Sequence, residues 1–272
     1  MEINGKVAVV TGAASGIGKA VAIELAKRGV KALALVDMND HVNQVADSIN
    51  EFMGGEIRAE AFVGNSTDEG FRRYVYEKMI ECHGIPTICV PAAGVTRDAL
   101  SVKIDKESGQ AHVYSVDTFR EVMEINLVAP IYWALEMVAH IAQDRVAKSL
   151  GKWEPEEHIQ GTIILIGSVS SLGNKGQLSY ATSKAGLHGA AATLMRDVMF
   201  YGVRCGVIHP GYTDTPMVRK IDENYIQKNI IPNTQLRRLI RTEEIADAIC
   251  FMIGNSAVSG ELWADAGWHP SA

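Results

Sequence analysis

Tyr180 and Lys184 stand one helical turn apart in Tyr180-Ala-Thr-Ser-Lys184, at the head of a long stretch rich in alanine and glycine. On a helix that spacing puts phenol and ammonium on one face. A phenol titrates near pH ~10 and is a poor proton acceptor at neutrality. A nearby cation favours the phenolate and lowers that value, so the two residues read as an acid/base couple. Tyr-x-x-x-Lys also occurs by chance on many solvated helices. It gains meaning from Ser168, which follows the apolar run 162–166 (TIILI), and from a glycine-rich loop near the N-terminus.

That loop, Thr11-Gly-Ala-Ala-Ser-Gly-Ile-Gly18, follows the apolar run 6–10 (KVAVV) and precedes a helical stretch over 19–28. A continuous apolar run is the pattern of a strand buried on both faces of a parallel sheet. Gly12, Gly16 and Gly18 let the backbone turn tightly and approach a ligand, and the helix N-terminus offers N–H groups to a pyrophosphate. The next strand, 32–36 (ALALV), ends at Asp37. A carboxylate there accepts the adenosine ribose hydroxyls and repels a 2′-phosphate. No Lys or Arg follows Asp37, and Ala14–Ser15 carries no charge, so NAD(H) is expected over NADP(H). A solvated Asp at a strand end is the competing reading, and the spacing from the glycines argues against it.

The rest of the chain must position these groups. Helices are expected over 42–53 and 69–82, and strands over 57–63 and 87–90; Phe71, Val75, Met79 and Ile80 form a core face. Alternating residues at 100–116 predict an inserted β-hairpin. One long helix is expected over 117–149, with Asn126 inside it and Pro130 bending it. Strands 203–208 and 261–265, a helix over 242–253 and a candidate lid over 218–241 complete the chain. This cadence predicts an α/β fold: one doubly wound Rossmann domain spanning 1–272, with a parallel sheet of about seven strands.

A net charge of −6 gives no reason to expect nucleic acid or an anionic membrane as partner. The basic cluster Arg237, Arg238 and Arg241 reads as a solvated helix face. The four cysteines have no C-x-x-C pair and no metal-ligand spacing, which predicts reduced thiols, no metal and a cytoplasmic setting. No signal peptide is read at the N-terminus, and no apolar run approaches the ~20 residues that span a bilayer.

TGAASGIG at 11–18, Asp37, Asn126, Ser168, Tyr180-x-x-x-Lys184 and PG-x-x-x-T at 210–215 together resemble the short-chain dehydrogenase/reductase family. GVTRDAL (94–100) and GNKGQLSYATSKAGL (173–187) resemble its β-ketoacyl-carrier-protein reductase branch and carbonyl-reductase relatives. The resemblance implies that Tyr180 exchanges the proton with substrate oxygen and that Lys184 lowers the phenol pKa and binds the nicotinamide ribose. It implies that Ser168 polarises the carbonyl and that Asn126 holds a relay water. It places Gly12, Ser15, Gly16, Ile17, Gly18, Ala93, Gly94, Pro210, Gly211, Thr213 and Thr215 at the cofactor, with Asn65 and Ser66 near adenine. It also implies a homotetramer or dimer, built on the Pro130 and Tyr180 helices.

Four departures stand out. Pro91-Ala-Ala-Gly94 replaces the family's Asn-Asn-Ala-Gly, and Ser168 is twelve residues before Tyr180 rather than thirteen, so the loop is shortened or Ser170 takes part. The insertions near 101–115 and 143–160 are longer than the reductase branch carries, and Asp37 differs from a branch that usually takes NADPH. The leading expectation is therefore an NAD-dependent oxidoreductase interconverting a secondary alcohol and a ketone. A 3-oxoacyl-thioester reductase, acting on acyl-carrier-protein or CoA, is the alternative, and a non-catalytic nucleotide-sensing protein is a third. Val95, Leu172, Leu178, Tyr212 and Met217 predict a mostly apolar substrate pocket.

Overall fold

A computed structural model describes residues 1–55 and 58–268 of the chain. The apolar runs become β1 (Val7–Thr11), β2 (Ala32–Asp37), β3 (Arg58–Val63), β4 (Ile88–Pro91), β7 (Gly161–Ile166), β8 (Val203–Pro210) and β9 (Gly260–Ala264). They form one seven-stranded sheet in the order β3-β2-β1-β4-β7-β8-β9, every pair parallel. The expected start of β3 at Ile57 lies outside the described residues.

Successive strand residues alternate between two cores, as a sheet covered on both faces requires. Val10, Leu33, Leu35, Val90 and Ile164 pack on one face with α1 (Gly16–Lys27), α2 (His41–Phe52) and α8 (Thr242–Gly254). Val9, Ala34, Val36, Ile163 and Leu165 pack on the other with α3 (Glu69–His83), α5 (Ala129–Ala147) and α6 (Leu178–Asp197). The predicted hairpin is present as β5 (Val102–Ile104) and β6 (Ala111–Val113), a separate antiparallel pair whose residues are all exposed. All four cysteines are free thiols, and burial pushes those of Cys89, Cys205 and Cys250 up to about 12.

Three expectations need correction. The helix expected over 117–149 is α4 (Val116–Met123), a π-helical turn (Glu124–Val128) and then α5. Pro130 lies just beyond the π-turn and the backbone stays helical across both junctions, so the missing proline N–H and the π-turn fall at the same break. The stretch Val116–Ala147 is also long and apolar enough to cross a membrane, with a mean hydropathy of 1.4. Trp133, Met137 and Ile141 nevertheless seat it in the core against the sheet.

Lastly, the arginine cluster is not a helix face. Arg238 forks onto Glu244 at 2.8 and 2.7 Å, the Arg241 backbone N–H donates to the same carboxylate at 2.8 Å, and Arg237 donates to the Pro232 carbonyl at 2.7 Å. The Arg238 and Arg241 contacts cap α8 and hold the Glu244 carboxyl down at about 2. Upstream, the candidate lid is a run of short helical turns including α7 (Glu223–Tyr225), anchored by buried Ile226 and Ile230.

Candidate active site

Strand order reverses between β1 and β4, and a crevice opens there at the carboxyl ends of the strands. The loop after β1 is closed tightly against its neighbours. Gly12 has φ +67°, and a Cβ on it would sit 2.8 Å from the Ala93 nitrogen. A Cβ on Gly18 would strike the Gly12 carbonyl. Ser15 does not cap α1 with its side chain, so the first N–H groups of that helix stay available to an anion. Gly18→Ala should therefore lower folding stability by about 1–3 kcal/mol and weaken dinucleotide binding. Denaturant midpoints and cofactor titration read both effects, and an unchanged midpoint would contradict this close approach.

Asp37 is fixed at the rim: its Oδ2 accepts from the Ala14 N–H and its Oδ1 from the Asn39 N–H, each at 2.9 Å. Pro91-Ala-Ala-Gly94 is tied down through the main chain instead of asparagine side chains. Ala92 N–H donates to the Thr11 carbonyl at 3.2 Å and Ala93 N–H to Thr11 Oγ1 at 3.1 Å. Every residue expected at the cofactor lines one cleft of about 510 Å³, from Gly12 and Asp37 through Asn65 and Gly94 to Thr213 and Thr215. Val36, Met38 and Ile125 add apolar surface to it. A larger hollow of 890 Å³ at the opposite edge of the sheet, lined by Met1, Trp153 and Arg204, contains none of these residues.

β7 delivers Ser168 to the same cleft, and α6 brings Tyr180 and Lys184. Ser168 Oγ accepts from the Ser170 N–H at 3.1 Å, and the Ser168 hydroxyl is the neighbour that draws the Tyr180 phenol down. The shortened loop thus leaves Ser168, not Ser170, facing the phenol. Lys184 is 5% exposed, and its Nζ donates to the Ile166 carbonyl at 2.7 Å. Burial without a counter-charge pulls the ammonium down to about 8.

The phenol is not lowered in this state. Burial pushes Tyr180 up, with Asp98 and Tyr212 adding to the rise and only the Ser168 hydroxyl opposing it. Lys184 Nζ is 5.7 Å from the Tyr180 ring centroid and is directed to a backbone carbonyl, which accounts for the missing influence.

Residues 6–226 match the short chain dehydrogenase family along most of the chain. The chain belongs to that family. It is 30% identical over 266 residues to the 3-oxoacyl-acyl-carrier-protein reductase FabG of Thermotoga maritima, covering 96% of both chains. The Escherichia coli FabG is also 30% identical, over 264 residues and 96% of each chain. A (3R)-3-hydroxyacyl-CoA dehydrogenase of Canis lupus familiaris is 30% identical over 262 residues, covering 93% of this chain and 90% of its own. This short-chain dehydrogenase is thus an oxidoreductase of a nicotinamide-dependent family.

Asn126 departs from the site expected of such an enzyme, because it does not line the cleft. It is fully buried in the π-turn and clasps Val95: Oδ1 accepts from the Val95 N–H and Nδ2 donates to the Val95 carbonyl, both at 2.8 Å. Nδ2 also reaches Ser183 Oγ at 3.3 Å, so both amide protons are used. Its visible role is to hold the loop after β4. Leu172 and Leu178 also miss the cleft; they line a separate surface groove with Leu100 and Val102.

Tyr212 rests edge-on against Trp268 at 5.1 Å and is hydrogen-bonded to Asn174. Three nearby residues escaped sequence reasoning: Asp98, Asn174 and His209. The first two lie inside GVTRDAL and GNKGQLSYATSKAGL, stretches that carry the family resemblance without giving either residue a role. His209 is the residue before Pro210-Gly211, and its Nδ1 lies 3.2 Å from the Ser168 carbonyl.

Proposed function

We propose that this chain reduces a 3-oxoacyl thioester to the 3-hydroxyacyl thioester with NADH. The observation that carries this reading is that Ser168, Tyr180 and Lys184 line the same cleft as the glycine loop, with the Tyr180 phenol raised by burial. A protonated phenol is the form that donates, as reduction of a ketone needs. The relatives named as 3-oxoacyl reductases and 3-hydroxyacyl dehydrogenase support the substrate class, and Asp37 at the cleft rim supports NADH.

The glycine loop fits a dinucleotide: Gly12 and Gly18 let the backbone close on itself without side chains, and the uncapped first turn of α1 then faces the cleft. Asp37 would hold the adenosine ribose, the start of α1 the pyrophosphate, and Thr213, Thr215 and Lys184 the nicotinamide half. Bound there, the nicotinamide supplies the hydride. Ser168 would give its hydroxyl proton in a hydrogen bond to the substrate carbonyl, fixing it beside the phenol. Tyr180 would pass its proton to that oxygen as the carbonyl carbon gains hydride, and solvent would return the proton to the phenolate. The Lys184 ammonium would ease that charge once the ribose draws it from the Ile166 carbonyl. Asn126 would act indirectly, by keeping the Val95 loop in register.

A short 3-oxoacyl-CoA assayed with each dinucleotide tests this reading. Faster turnover with NADH than NADPH is expected. Reduction should be flat across neutral pH, whereas oxidation of the hydroxyacyl thioester should rise with pH, because oxidation needs the phenolate and the Tyr180 pKa is raised. Preference for NADPH, or oxidation fastest at acidic pH, would overturn it.

A second reading, a free secondary alcohol and its ketone, is favoured by the arginines at 237, 238 and 241. They are engaged with Glu244 and the Pro232 carbonyl rather than displayed for an acidic carrier. Turnover of simple ketones but not of the thioester would select it.

We also propose a homo-oligomer joined through α5, where Tyr132 and Leu135 are exposed, and the small-residue face of α6 around Ala185 and Gly189. Sedimentation at micromolar concentration should give a dimer or tetramer; a monomer would refute it.

A further inference from the structure

Behind the Ser168 turn, three side chains from three elements converge: His188 of α6, His209 at the end of β8 and Glu261 of β9. The Glu261 carboxylate lies between the imidazoles, with Oε1 3.1 Å from His188 Nδ1 and Oε2 3.1 Å from His209 Nε2. All the candidate donor atoms lie within 4.8 Å of one another. His209 is 1% exposed, and its ring is stacked on Trp263 at 4.2 Å and 14°.

The partners of His209 identify its tautomer. Its Nδ1 faces the Ser168 carbonyl at 3.2 Å and Ser171 Oγ at 3.3 Å. The single Ser171 hydroxyl proton is already given to the same carbonyl at 2.7 Å. Both neighbours therefore offer lone pairs only, and Nδ1 must carry the proton. Nε2 makes no hydrogen bond among the described residues, yet it is buried 3.1 Å from the Glu261 carboxylate. That separation is favourable only with positive charge between the two groups, either a proton on Nε2 or a bound cation, and His188 on the same carboxylate completes a donor set for the cation.

We propose that His188 Nδ1, His209 Nε2 and the Glu261 carboxylate bind a divalent cation of the zinc class. Imidazole with carboxylate suits Zn²⁺, Co²⁺ or Ni²⁺ better than Mg²⁺, which prefers oxygen donors. The imidazoles each lie 3.1 Å from a different oxygen of the carboxylate, and all three donor atoms fall within 4.8 Å, a span that a cation with bonds of about 2.0–2.2 Å closes by small side-chain rotations. An imidazole whose other N–H is fixed on a backbone carbonyl is oriented as metal-bound histidines are. In the single chain the His188 side chain is 51% exposed and that of Glu261 32%, which provides entry before subunits join and room for a fourth ligand. Nothing in the sequence spacing announces the site, because each ligand comes from a different element. Its role is to brace the turn that carries Ser168, and it takes no part in hydride transfer.

The test uses the full chain stripped with a chelator, then titrated with Zn²⁺ by calorimetry and with Co²⁺ by absorption spectroscopy. One cation per chain and a raised thermal midpoint are expected. His188→Ala and Glu261→Gln, both partly exposed positions, should each weaken binding by more than about tenfold. Circular dichroism and NADH binding should stay unchanged in both. No saturable binding by the parent chain up to about 100 µM metal, or binding that both variants retain, would overturn the site and leave His209 and Glu261 as an ion pair only. None of these readouts depends on turnover, so they stand apart from the reaction proposed above.

Discussion

Tyr180→Phe should lower kcat by about 10²–10⁴-fold while NADH still binds. The substitution removes one hydroxyl and leaves the ring in place. It introduces no charge change either, because burial keeps the phenol protonated. Ser168 retains the hydrogen bond from the Ser170 N–H, so the turn at the end of β7 has no reason to move. The loss is therefore one proton donor, equivalent to about 3–5 kcal/mol of barrier. Stopped-flow turnover beside a fluorescence titration of NADH separates chemistry from binding. Full turnover in the variant would remove Tyr180 from the reaction, and absent turnover in both proteins with intact NADH binding would favour a nucleotide-sensing role.

The fold was legible because strands buried on both faces write themselves as apolar runs. VAVVT, ALALVD and GTIILI all became central parallel strands. The cofactor loop was legible because its requirement is local: only glycine tolerates the closeness at Gly12 and Gly18. Asn126 was legible as a mid-helix amide suited to a backbone group or a water, but not its partners, since Val95 and Ser183 lie 31 and 57 residues away. Pro130 announced a break in the helix, but the form it takes, a π-turn over the preceding residues, has no composition signal. Leu172 and Leu178 misled for a related reason: apolarity marks a surface groove as readily as a pocket. The protonation of Tyr180 depends on where a lysine four residues away points, and spacing alone says nothing of direction.

Lys184→Met should show function and stability pulling apart. Activity is expected to fall by at least about a hundredfold, because the cation beside the phenol is lost. Stability should respond in a pH-dependent way. The ammonium titrates at about 8 in the folded chain against 10.5 for the free group, and desolvation is the cause. Between those values the unfolded chain holds a proton that the folded chain has released, so wild-type stability rises with pH across that window. Below it both states are protonated, and the buried charge costs the folded chain about 3 kcal/mol. Methionine carries no such proton and fills the same channel with apolar atoms. The stability of the variant relative to wild type should therefore fall by about 3 kcal/mol between about pH 7 and about pH 10.5, whatever its sign at the start. Groups other than Lys184 titrate in both proteins, and taking the difference removes them to first order. Urea midpoints of the cofactor-free proteins at the two ends of the window measure it. A difference that stays constant would mean that Lys184 keeps its ordinary pKa, and that the ammonium beside Tyr180 is better solvated than its burial and its bond to the Ile166 carbonyl indicate.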